Sequence, residues 1–157
     1  MGDYSVSAFV TSPGLYIKDI RYSGVCLLQE PFRFGSAAGS AAIRVRVGSD
    51  GGAASIHVAD KDGNPVPNAS VAIMPASAAW ELLLASQIIS GQADQTGNYT
   101  SSTLPPGKYG VVAIQAPIDT RYESIHALWS LRGSKTTEIE IAPGANLEVT
   151  LEPTKID

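Results

Sequence analysis

The sequence predicts an all-β fold, an antiparallel β-sandwich carrying two short helical inserts. Three observations predict it. Short runs of alternating apolar and polar residues recur between residues 42 and 152. Turns of one chemical type, built from Asp, Gly, Asn and Pro, separate them. The composition is 44% apolar and only 17% charged, with 15 Gly and 10 Pro, which suits a packed, turn-rich β core better than disorder or a helical bundle.

The strands follow in order. AIRVRV at 42–47 puts Ile43, Val45 and Val47 on one face and Arg44 and Arg46 on the other. SIHVAD at 55–60 turns Ile56 and Val58 inward, and SVAIM at 70–74 does the same with Val71 and Ile73. KYGVVAIQ at 108–115 is more apolar, as a central strand would be. TEIEIA at 137–142 and NLEVTLE at 146–152 close the unit with clear alternation. Each inward aliphatic side chain stabilises the fold by about 1.5–3 kcal/mol when fully buried.

The turns are chemically explicit. Asp62-Gly63-Asn64 and Thr96-Gly97-Asn98 combine a glycine with side chains that bond to nearby backbone. Pro65 and Pro67 keep helix from starting after the first. Pro105-Pro106-Gly107 and Pro143-Gly144 are the remaining two. Helix is expected over 78–86, AAWELLLAS, which has no breaker. It is also expected over 122–132, where Ile125, Leu128, Trp129 and Arg132 fall at helical spacing before Gly133.

Residues 1–49 form an N-terminal β segment, and residues 50–153 a complete sandwich. Ser12-Pro13-Gly14-Leu15-Tyr16 echoes Pro105-Pro106-Gly107-Lys108-Tyr109, and SAAIRVRV echoes GANLEVTL. The N-terminal segment is therefore either half of a preceding module or a source of extra strands for one sandwich. If it is half of a module, its unsatisfied edges predict pairing with another copy through residues 1–48. MGDYSVSAFV lacks the basic-then-apolar pattern of a signal peptide, and no apolar run reaches membrane-spanning length. A formal net charge of −4 with no basic run argues against a nucleic-acid partner. Cys26, the single cysteine, lies in the apolar run VCLL and reads as a buried, inert thiol.

The succession D-x-D-G-N-P-V-P-N-A-x-V at 60–71, D-x-x-G-N-Y at 94–99 and L-P-P-G-K-Y at 104–109 resembles the carboxypeptidase regulatory-like domain. The resemblance covers about residues 53–118. It implies an Ig-like, transthyretin-like or CnaB-like sandwich, often in tandem in bacterial exported or cell-envelope proteins. It also implies an accessory role with a protein partner or same-chain neighbouring domains rather than catalysis.

No catalytic constellation stands out. Asp60, Asp62 and Asn64 begin like a calcium loop, but Val71 sits where an EF-hand needs a bidentate Glu, and turn chemistry explains each residue. No cofactor is expected. His57 and His126 lie on different predicted elements without H-x-H or H-E-x-x-H spacing. The paired-histidine motif of intradiol dioxygenases and the C-terminal Tyr-Arg-Gly-Ser of hydroxyisourate hydrolases are both missing. No G-x-S-x-G elbow occurs. An internal Lys–Asn or Lys–Asp isopeptide bond needs a buried lysine, whereas Lys61, Lys108 and Lys135 fall in turns or a loop. Asn68-Ala69-Ser70 and Asn98-Tyr99-Thr100 match the glycosylation sequon, but turns explain both asparagines.

The leading expectation is a non-catalytic structural or interaction module of an exported or cell-envelope protein. The alternative is a carbohydrate or small-ligand binding domain. Trp80, Tyr109, Tyr122 and Trp129 would then offer flat rings for stacking on a sugar, unless the two tryptophans simply anchor the helical inserts.

Overall fold

The computed structural model describes residues 2–33, 41–118 and 121–155, with the backbone alone at Tyr122. Its strands are β1 (Asp3–Tyr4), β2 (Tyr16–Tyr22), β3 (Val25–Cys26), β4 (Phe32–Arg33), β5 (Arg44–Gly48), β6 (Ala53–Val58), β7 (Ser70–Pro75), β8 (Ile89–Gln92), β9 (Asn98–Thr100), β10 (Gly107–Ile114), β11 (Thr137–Ile141), β12 (Asn146–Leu151) and β13 (Pro153–Thr154). Helix α1 (Glu81–Gln87) lies between β7 and β8, and α2 (Tyr122–Leu131) between β10 and β11.

Two sheets make the sandwich. One runs β11-β10-β7-β8, with β13 also on β10, and the other runs β12-β6-β9. Ile56 and Val58 from β6 meet Val71 and Ile73 from β7, Val111 and Ala113 from β10, and Ile139 and Ile141 from β11. These are the inward residues that alternation predicts. Most pairings are antiparallel, but β12 runs parallel to β6 and β13 parallel to β10. The chain leaves β11 through the turn at Pro143-Gly144, where Gly144 has φ 68°, and enters the opposite sheet instead of forming a hairpin.

A third layer is made of helix. Ala72 and Met74 of β7 and Val112 and Ile114 of β10 bury their outer faces under Leu84 of α1 and Ile125, Leu128 and Leu131 of α2. Strands covered on both faces read as near-continuous apolar runs. SVAIM and VVAI do so, beyond the simple alternation assigned to 70–74. The aliphatic residues of the helices, including fully buried Leu83, anchor this layer. Trp80 does not, because it is 47% exposed at the start of α1.

Of the N-terminal strands, β3-β2-β5 form a separate three-stranded sheet, and β1 pairs antiparallel with β4. The three-stranded sheet leans on the sandwich through Tyr16, Ile20 and Leu27, all buried. The Tyr16 hydroxyl donates to Asp50 Oδ1 at 2.6 Å, and Gln87 Nε2 donates to the Leu28 carbonyl at 2.7 Å. Cys26 is half-buried rather than enclosed.

Candidate interaction surface

In the Asp60 turn the Asp60 carboxylate is engaged by the turn itself. Asp60 Oδ1 accepts the backbone amides of Asp62 and Asn64, both at 2.9 Å. The Asn64 amide and side chain hold this carboxyl below its ordinary pKa. Asp94 repeats the device, its Oδ1 accepting the amides of Thr96 at 2.8 Å and Asn98 at 3.0 Å and the Thr96 hydroxyl at 2.7 Å. The Thr96 hydroxyl is the leading cause of its lowered pKa. Gly63 and Gly97 adopt φ 83° and 78°, the conformation each turn requires. Among the described residues no cluster of three His, Cys, Asp or Glu is placed to hold a metal.

The two histidines stay apart. His57 Nδ1 lies 2.8 Å from Asn98 Oδ1 across the β6–β9 pair, and His126 Nδ1 lies 3.2 Å from Glu81 Oε1 between the helices. Lys18, Lys61, Lys108, Lys135 and Lys155 are all exposed, so none is a buried isopeptide donor.

The four aromatic candidates divide. Tyr109 is buried at the sandwich end, and its hydroxyl donates to the Pro105 carbonyl at 2.6 Å, with burial raising its pKa. Trp129 is half-buried, and the Arg132 guanidinium lies 4.4 Å from its ring centroid. The same guanidinium donates to the carbonyls of Ala78 at 2.7 Å and Ala76 at 3.1 Å, which ties α2 to the segment leading into α1. Trp80 is the exposed member on that helical face, and Tyr122 begins α2, its side chain outside the described residues. Tyr109 instead borders a cavity of about 440 Å³ between residues 6–17 and the sandwich, which Phe9, Ile20, Leu28 and Ile88 also line. Sequence reasoning missed this cavity because its walls come from distant segments, no one of which carries a pattern for it.

Strand β5 differs from every other strand of its length. Residues 41–47 are exposed throughout, so both faces of the strand meet solvent. Ile43, Val45 and Val47 are 47%, 45% and 50% exposed. Within the sheet Val45 stands opposite Ile20, which is only 1% exposed, and Val47 opposite Ile17. The apolar face is thus covered at β2 and left open at β5. On the other face Arg46 Nε donates to Asp19 Oδ2 at 2.7 Å. Arg46 holds the Asp19 carboxyl below its ordinary pKa, although burial opposes it. Asp19 Oδ1 is buried with no hydrogen-bond partner among the described residues. Arg44, opposite Arg21, makes no ion pair among the described residues. Only β2 pairs with β5 among the described strands, so its outer edge carries unpaired backbone groups.

No family model matches the chain, and no curated protein matches it. Solved structures with a related chain path include a variant of the major pilin subunit of Bacillus cereus, at 16% identity and TM-score 0.47 over 73% of this chain and 34% of that one. The TIE protein of Bacillus anthracis matches at 17% identity and TM-score 0.45 over 78% of this chain and 23% of that one. A Pseudomonas aeruginosa protein proposed to bind carbohydrate matches at 14% identity and TM-score 0.41, over 66% of this chain and 88% of that one. The chain therefore spans about a third of that pilin variant and less of the TIE protein. At such scores these likenesses say nothing of function, and the sandwich rests on the pairings described above.

Proposed function

We propose that this chain is a non-catalytic interaction module that binds an extended protein strand along the open edge of β5. In this reading it is a carboxypeptidase regulatory-like unit of an exported or cell-envelope protein. The observation that carries the proposal is the exposure of Val45 and Val47 on the edge strand β5, with Ile43 exposed just before it. Flat apolar edges are aggregation-prone, and folded proteins usually blunt or cover them. Strand addition satisfies the unpaired backbone groups and covers the apolar row in one event.

Chemistry selects the partner. Arg44 and Arg46 line one face, and the valines the other. The fitting strand alternates acidic and apolar residues, so that carboxylates meet arginines while aliphatic side chains extend the row beside Ile20. Opposite charges directly across a strand pair contribute roughly 0.2–1 kcal/mol each. A single added strand covers little area, so the complex is weak and salt-sensitive.

Fluorescence anisotropy of labelled peptides tests this. An acidic-apolar alternating peptide should bind the full chain, a basic-apolar one should bind more weakly, and a scrambled peptide should not bind. Val45→Pro removes an edge position and should abolish capture. Equal binding of all three peptides, or none of the acidic one, would overturn the proposal.

A further inference from the structure

We infer that the strand received by β5 is β11 of a second copy, so that copies join head to tail; this rests on the reading of β5 above. Strand β11 is itself the end strand of its sheet, paired only with β10 among the described residues. It reads TEIEI, with Glu138 and Glu140 exposed and Ile139 and Ile141 buried. That is the acidic-apolar alternation β5 calls for.

The two strands match residue for residue. An antiparallel alignment sets Arg44 opposite Glu140 and Arg46 opposite Glu138. The same register sets Val45 opposite Ile139, Ile43 opposite Ile141 and Val47 opposite Thr137. Residues directly opposite share a face, so Arg44 meets the Glu140 carboxylate, and Arg46, already bonded to Asp19, meets a second carboxylate in Glu138, while the open row of β5 continues the edge of the sandwich core. Charge also disfavours the symmetric alternatives centred on Val45 and on Ile139. Pairing β5 with β5 about Val45 sets Arg44 against Arg46 twice. Pairing β11 with β11 about Ile139 sets Glu138 against Glu140 twice. Across the sheet, Lys108 of β10 is the cation facing Glu140, and Glu138 faces Gly110. On β5, Asp19 and Arg21 of β2 are the charged neighbours. A heterologous contact leaves one free β5 and one free β11 at the ends, so association continues past the dimer where the two ends do not close on each other; a chain that stops at the dimer overturns the head-to-tail chain.

Sedimentation velocity on the full chain at low salt, across a concentration series, tests this. Average mass should rise with concentration and pass that of a dimer. Arg44→Glu and Glu140→Arg should each weaken association roughly tenfold by placing like charges opposite one another. An equimolar mixture of the two weakened variants should regain it, because each then meets its opposite. Glu138→Arg, whose cross-strand neighbour is glycine, gives a second variant should Glu140→Arg disturb Lys108. Wild-type chain that stays monomeric, or glutamate reversals that associate like wild type, would overturn the inference. If either occurs while the acidic peptide still binds, β5 keeps its role and only the second copy is lost as partner. If the peptide fails as well, both readings fall.

Discussion

Two aspartates show how far single residues shape this molecule. Asp60 and Asp94 each gather the amides two and four residues ahead of them, and each turn closes with a glycine at positive φ. Both carboxyls are held below their ordinary pKa by these hydrogen bonds. A depressed folded pKa means that the unfolded chain takes up the proton first as pH falls. Their stabilisation is therefore complete above the unfolded value near 3.8 and is lost as pH drops through the lower folded values. Thermal melts between pH 5 and 2 should show a falling Tm over the acid end. In Asp94→Asn that fall should be shallower, from a lower starting Tm. Such turns are legible because every bond is local to five residues.

At the scale of elements, legibility follows length and locality. The strands at 53–58, 70–75, 107–114 and 137–141 announce themselves by alternation or by apolar runs. Strands β8 and β9 do not, since four and three residues are too short to show a period. Gly91 in β8 looks like a breaker, yet a Cβ there would stand 2.3 Å from the Tyr99 ring of β9, so the glycine permits packing between the sheets. The pairing of β12 with β6 is equally hidden, because the sequence cannot show which sheet a strand enters after a turn. The helical layer is held by Arg132 as well as by its aliphatic core. Removing its charged hydrogen bonds to Ala76 and Ala78 should cost about 1–3 kcal/mol. Chemical denaturation of Arg132→Ala should show that loss, with Arg132→Lys recovering only part of it because lysine lacks the fork.

For the whole molecule, the sequence displays the Arg-Val alternation of 44–47 but not its exposure. Alternation says which residues share a face, whereas burial depends on what other elements lie over that face. In 137–141 the same alternation marks a strand whose apolar side is covered. In 44–48 it marks one whose apolar side is open. The aromatic residues carried the opposite lesson: Tyr109 is enclosed, and the Trp129 ring already faces a guanidinium. The most direct test of β5 as a docking strand is hydrogen exchange on the full chain with and without saturating acidic-apolar peptide. The account predicts that amides of Arg44–Gly48 not bonded to β2 slow markedly, while those of β6 and β7 do not change. Unchanged exchange across β5 under conditions where the peptide is bound would contradict it.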